Sequence, residues 1–222
     1  NIHAVKYKDK EIYLGGAAAI ARNLSEFCKS IDLYSAGNFD KEYIKILSSI
    51  KNDKNIKINI TDKKFQSIKK TRVLNHLNRK LFEIYYKNGD THLNDDKKLL
   101  KIINQKFKSY DVVIIADFSH GFFNKKIYET IKKNSKFLTI NTQTNSDNRG
   151  FNLITKYNKA NFICLDQPEL RLALSDKKSS MEVLTTKLKN KINFKTLVIT
   201  LGEKGVFVRN NQKNTNFKTF RL

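Results

Sequence analysis

The 222 residues hold 43 Lys and Arg against 21 Asp and Glu, a formal charge of +22, and 40% of them are hydrophobic. That composition supports one domain of generous size or one domain with an appendage. No apolar run approaches the ~20 residues of a membrane span, no signal peptide is visible, and the cysteines and histidines lie too far apart for a metal cluster.

Residues 17–28 carry Ala17, Ile20, Ala21, Leu24, Phe27 and Cys28 at helical spacing, directly after Gly15-Gly16. IDLYSA (31–36) reads as a strand. Asp40 is placed to cap a helix holding Ile44 and Leu47. In NIKINI (55–60), Ile56, Ile58 and Ile60 share one face of a strand. SIKKTRVLN (67–75) and RKLFEIYYK (79–87) are rich in β-formers and predict an antiparallel hairpin. The opening AVKYKDKEIYL (4–14) has the same polar-strand look. These pieces suit a small sheet beside the main body.

After residue 93 the rhythm changes. Asn94 is placed to cap a helix with Asp95 and Asp96 in its first turn and Leu99, Leu100, Ile103 and Phe107 inside. DVVIIA (111–116) is a continuous apolar run, the pattern of a strand buried on both faces. A helix begins at Asn124, followed by strands FLTI (137–140), NFICL (161–165) and LVIT (197–200), with Met181–Leu188 helical before the last. This alternation predicts a parallel α/β sheet. Pro168 sits just inside a helix start, where proline is tolerated.

Ligands of an open parallel sheet bind at the carboxyl ends of its strands. The exits here are all polar: Asp117-Phe118-Ser119-His120-Gly121, Asn141-Thr142-Gln143, Asp166-Gln167-Pro168-Glu169, and Thr200-Leu201-Gly202-Glu203-Lys204-Gly205. Each has a plain alternative. Asp166-x-x-Glu169 is also a capping arrangement. Thr200-x-Gly202-x-x-Gly205 is also a hairpin turn with glycines at positive φ. Gly15-Gly16 is also a tight strand-to-helix turn, and His120 a loop histidine.

In series, these stretches resemble the ribokinase/PfkB family of carbohydrate kinases. YLGGAAAIARNLSEF is similar to the family's substrate-side signature, IDLYSAGNFD to its next strand and corner, and DVVIIADFSHG to its Asp-Tyr/Phe-x-x-Gly loop. ICLDQPEL stands where the family has Asn-x-x-Glu, and TLVITLGEKGVFV resembles its nucleotide-binding strand and turn. SIKKTRVLNHLNRKLFEIYY resembles the lid of heptose-phosphate kinase domains within it.

The resemblance implies a three-layer α/β/α sandwich with a mainly parallel sheet, a β-strand lid at 1–14 and 67–87, and an α/β core at 15–66 and 88–222. It implies ATP and Mg²⁺ as cofactors and a sugar or sugar phosphate as substrate. Gly15, Gly16, Lys70, Arg72 and Asp117 fall on the substrate side. Asn141, Asp166, Thr200, Gly202 and Gly205 fall on the nucleotide side, and Glu169 reaches Mg²⁺ through water. Lid strands of the family pair between subunits, so a homodimer is expected. Ala19, Asp166 and His120 depart from the Asn, Asn and Lys that relatives commonly carry.

The family's Gly-Ala-Gly-Asp segment, source of the base and anion hole, does not occur in the sequence. The chain opens Asn1-Ile2-His3, with Met181 its only methionine. It therefore reads as an inactive piece of a longer kinase, cytoplasmic by its two thiols in apolar contexts. One rival is a non-catalytic kinase-like domain for binding or assembly, fused to a nucleotidyltransferase. The other is a nucleic-acid-binding protein, which the charge alone supports. Against it, the lysines are scattered and lack interleaved aromatics.

Overall fold

The structure, a computed structural model, describes residues 6–38, 41, 44, 46, 48, 55–86, 93, 96–145, 148–210 and 213–218. The chain divides into two compact units, residues 1–67 and 68–222.

In the first unit, helix α1 (Gly16–Leu24) is followed by strands β1 (Ile31–Ser35) and β2 (Ile56–Ile60), which pair in parallel from Ile31↔Ile56 to Ser35↔Ile60. A parallel pair needs a crossover, and Lys41, Ile44, Ile46 and Ser48 between the strands are helical. Asp40 and Leu47 lie outside the described residues. Ala18 and Ala21 of α1 pack with Ile56, and Leu14, Ile31, Leu33 and Ile58 close around them. In its described part, 6–14, the expected strand at 4–14 has no regular structure. Its side chains are largely exposed, Tyr7 at 77% and Tyr13 at 78%, and a strand without a ladder partner leaves its backbone groups to water.

The second unit opens with the expected hairpin, β3 (Lys69–Leu74) against β4 (Lys80–Tyr86), from Lys69↔Tyr86 to Val73↔Phe82, with a bulge at Leu74. Helix α2 spans Lys97–Lys106. Asp96, without a side-chain capping bond, holds the cap position; the expected cap, Asn94, lies outside the described residues. Then come β5 (Val113–Asp117), α3 (Lys125–Asn134), β6 (Leu138–Thr142), β7 (Phe162–Asp166), α4 (Gln167–Leu174), α5 (Met181–Lys189), β8 (Thr196–Thr200), β9 (Val206–Asn210) and β10 (Asn214–Phe217).

These last six strands form one sheet in the order β10-β9-β8-β7-β6-β5. β5 to β8 are parallel, and β9 and β10 return antiparallel. Right-handed crossovers running one way along a sheet place their connections on one face. Burial follows that geometry. Val113, Ile115, Leu138, Ile140, Ile163, Leu165, Leu197 and Ile199 are buried. The helices supply Ile127, Ile131, Leu170, Leu184 and Leu188, each fully buried aliphatic contributing ~1.5–3 kcal/mol. The expected burial of 111–116 on both faces is not observed. Val112 and Ile114, on the other face, are 51% and 40% exposed. The connection from β6 to β7 contains a single helical turn at Ile154–Lys156 rather than a crossover helix.

Candidate functional site

Register brings the polar exits together. Asp117 of β5 pairs with Thr142 of β6, and Asp166 of β7 pairs with Thr200 of β8. All four residues end parallel strands, so they share the carboxyl edge of the sheet.

Asp166 and Glu169 form the capping arrangement in full. Asp166 Oδ1 accepts from the Glu169 amide at 2.7 Å, and Glu169 Oε2 accepts from the Asp166 amide at 3.1 Å. Glu169 does more than cap: its Oε1 accepts from the Thr144 amide at 2.8 Å, tying α4 to the loop leaving β6. Burial pushes the Glu169 carboxyl up and the nearby Asp166 charge adds to this, while the two amides oppose it. Asn141 donates to the Cys164 carbonyl at 2.8 Å, bracing β6 on β7.

Among the described residues, no group of three or more His, Cys, Asp or Glu side chains could hold a metal ion. Glu169 would be the carboxylate to hold a magnesium ion through water, since Mg²⁺ keeps several waters and takes few carboxylates.

The segment Thr200–Gly205 closes the β8–β9 hairpin through a helical turn at Gly202–Lys204. The Leu201 amide donates to the Gly205 carbonyl at 2.8 Å, and the Gly205 amide to the Gly202 carbonyl at 3.0 Å. Both glycines have positive φ, 60° and 95°. A Cβ on Gly202 would meet nothing within 4 Å, whereas one on Gly205 would strike the Phe217 carbonyl oxygen at 1.9 Å. Open space beside Gly202 leaves room for a ligand; Gly205 is required by the fold itself.

Asp117 is not a free acid at the edge. It is 3% exposed. Its Oδ1 accepts from the Ser119 amide at 2.9 Å, and its Oδ2 takes the Tyr157 hydroxyl at 2.6 Å and the Lys156 ammonium at 2.5 Å. All three donors come from the chain itself. Sequence reasoning missed Lys156 and Tyr157. The available signal was the spacing Asn148, Asn152, Lys156 between β6 and β7, which reads as loop polarity.

In the hairpin, Lys70 donates to the Tyr85 hydroxyl at 3.2 Å and lies 4.3 Å from the centre of its ring. Arg72 pairs with Glu83 at 2.5 Å. The Tyr85 hydroxyl and then Arg72 hold the Glu83 carboxyl below its usual value. Both cations lie on one hairpin face. In the first unit, Gly15 occupies the α1 cap position without a side-chain bond, and a Cβ there would meet nothing within 4 Å. Gly16 has φ 57°.

The sheet, its single polar edge and the turn after β8 define a ribokinase-like α/β domain. The family model for pfkB family carbohydrate kinases matches residues 4–221, and the chain belongs to that family. It is similar to bifunctional protein HldE of Helicobacter pylori (strain G27), 27% identical over 216 residues, covering 92% of this chain and 44% of the relative. HldE of a Nitratiruptor species is 21% identical over 211 residues, covering 93% and 44%. The chain thus spans under half the length of these curated relatives. Ribokinase from Giardia lamblia superposes with a TM-score of 0.70 at 14% identity, over 90% of this chain and 66% of that one. Phosphofructokinase-2 from Escherichia coli, in complex with substrates and products, gives 0.69 at 12% identity, over 94% and 68%.

Proposed function

We propose that the intact protein transfers the γ-phosphoryl group of ATP to a hydroxyl of a sugar or sugar phosphate, with Mg²⁺, in the cytoplasm. Membership of the carbohydrate kinase family carries the reading. The gathering of the strand exits at one sheet edge supports it. Heptose phosphate is the favoured acceptor, from the hairpin's resemblance alone.

Thr200, Gly202 and Gly205 would shape the nucleotide approach, with Asn141 and Asp166 beside it. Glu169 would hold water on Mg²⁺. In the first unit, Gly15 and Gly16 would let a sugar lie against main chain; in the second, Lys70 and Arg72 would offer cations to a phosphate. The acceptor oxygen attacks the γ-phosphorus as the bond to ADP breaks, and the hydroxyl proton passes to a base. That base would come from a Gly-Ala-Gly-Asp segment, which does not occur in these 222 residues. A second copy would pair through the β3–β4 hairpin.

A second reading, a kinase-like domain kept for binding or assembly, draws on Ala19 and His120, where relatives commonly carry Asn and Lys. The test is ADP release by the full-length product with ATP·Mg²⁺ and a panel of hexose and heptose phosphates. Sugar-dependent turnover supports the kinase. Tight binding of ATP and sugar with no turnover favours the second reading.

A further inference from the structure

We propose that Lys156 is a positioning residue for the loop leaving β5, and that the Asp117 carboxylate anchors this loop and does not touch substrate. The inference rests on the kinase reading only for its catalytic consequence.

The Lys156 ammonium meets three side chains. It pairs with Asp117 Oδ2 at 2.5 Å, donates to Asn152 Oδ1 at 2.6 Å, and lies 5.3 Å from the centre of the Tyr157 ring. Asn152, 1% exposed, spends both amide hydrogens on the ends of two strands: the Asp117 carbonyl at 2.9 Å and the Gln143 carbonyl at 3.1 Å. Asn148, 5% exposed, repeats this one turn earlier, on the Phe118 carbonyl at 3.1 Å and the Gln143 carbonyl at 3.0 Å.

The loop so held is strained. Ser119, a non-glycine, has φ 58°, and its amide is fixed on Asp117 Oδ1 at 2.9 Å. Such a conformation persists only where the surroundings over-determine it. A carboxylate buried to this degree needs a countercharge, and Lys156 is the cation against it. Its ammonium therefore holds Asp117, Asp117 holds Ser119, and the two asparagines hold the Asp117 and Phe118 carbonyls just before it. The Phe118–Gly121 backbone is presented at the carboxyl edge in one conformation.

Backbone hydrogen exchange in the chain tests this without any assay of activity. Lys156→Met should speed exchange in a peptide covering 117–123 by about tenfold or more, while β7 and β8 stay within about twofold of wild type. Lys156→Arg should restore most of the protection. Unchanged exchange at 117–123 in a folded Lys156→Met, or uniform acceleration across the sheet that Arg does not relieve, overturns the proposal. If Lys156→Met does not fold, Tyr157→Phe decides: it removes one donor to Asp117 and keeps the ring. Selective acceleration at 117–123 supports the proposal, and none overturns it.

In the full-length protein, Lys156→Met should lower kcat/KM for the sugar by about tenfold with KM for ATP within about twofold; equal losses for both substrates also overturn it. Wild-type protein without sugar-dependent turnover removes the kinase reading alone, and the exchange result then decides.

Discussion

A methyl group at Gly205 would lie 1.9 Å from the Phe217 carbonyl oxygen, on a residue at φ 95°. Gly205→Ala is therefore expected to cost about 2–4 kcal/mol of stability, from overpacking and left-handed strain together. Gly202 has the same kind of backbone, φ 60°, but open space around it. Gly202→Val should cost only about 1–2 kcal/mol, yet in the full-length protein it should weaken ATP·Mg²⁺ binding by on the order of tenfold, because a branched side chain fills the approach. Thermal unfolding and ATP titration separate the two effects; unchanged ATP affinity in folded Gly202→Val contradicts the nucleotide role. Glu169 gives a pH signature. Its folded pKa is raised by burial, so the folded state binds more protons than the unfolded state. The stability linked to this group is full below the unfolded carboxyl value near ~4.3, and it is lost as pH rises through the raised value. Glu169→Gln should flatten stability across that window. It should also cost about 1–2 kcal/mol at neutral pH, because one carboxamide oxygen cannot serve both the Thr144 and Asp166 amides. Urea unfolding from pH 4 to 8 checks both, and an unaltered slope removes the assignment.

The β3–β4 hairpin separates its two faces by register. Lys70↔Tyr85 and Arg72↔Glu83 make one face polar, while Thr71↔Ile84 and Val73↔Phe82 make the other apolar. On that apolar face Phe82 is 52% exposed and Ile84 39%, an arrangement suited to a second copy. Phe82→Glu should weaken self-association by about tenfold or more, the scale of an interface anchor, with the polar pairs keeping the hairpin intact. Sedimentation at micromolar concentration measures it, and a wild-type monomer there excludes the dimer. The hairpin was legible in advance because β-formers on both sides of a polar turn have few other solutions. The parallel strands were legible as apolar runs, and their polar exits identified the edge where chemistry would gather. One-sided burial was not legible: Val112 and Ile114 are as apolar as Val113 and Ile115, and only the order of the strands decides which pair is covered. Nor was the opening stretch, since alternation in 4–14 says nothing about whether a partner strand exists. The Lys156–Asp117 pair joins the end of β5 to a turn in the β6–β7 connection, 39 residues apart in number, and no local pattern encodes that.

At the scale of the whole molecule, a charge of +22 favours anions of every size, yet it specifies none of them. No described helix is long and apolar enough to cross a membrane. Non-specific binding to DNA or RNA should be weak at physiological salt; submicromolar binding there would restore the nucleic-acid reading. Catalysis sets a stricter condition. The 222 residues include the strands that would flank the nucleotide and the glycines of the turn after β8, but no Gly-x-Gly-Asp. Phosphoryl transfer needs a base for the attacking hydroxyl and donors for the migrating charge. Lack of a general base costs ~10²–10⁴ in rate, and lack of an oxyanion-type donor a further ~10²–10³. The two act on one transition state and need not multiply in full. Turnover should therefore fall by on the order of 10²-fold or more, whereas nucleotide affinity should fall less because the Thr200–Gly205 turn remains. The measurement is sugar-dependent ADP release by this chain alone beside the full-length product. Robust turnover by the chain alone would place the base within these residues. Asp117, buried under three donors, could not serve without breaking its ion pair, so His120 would become the first residue to replace.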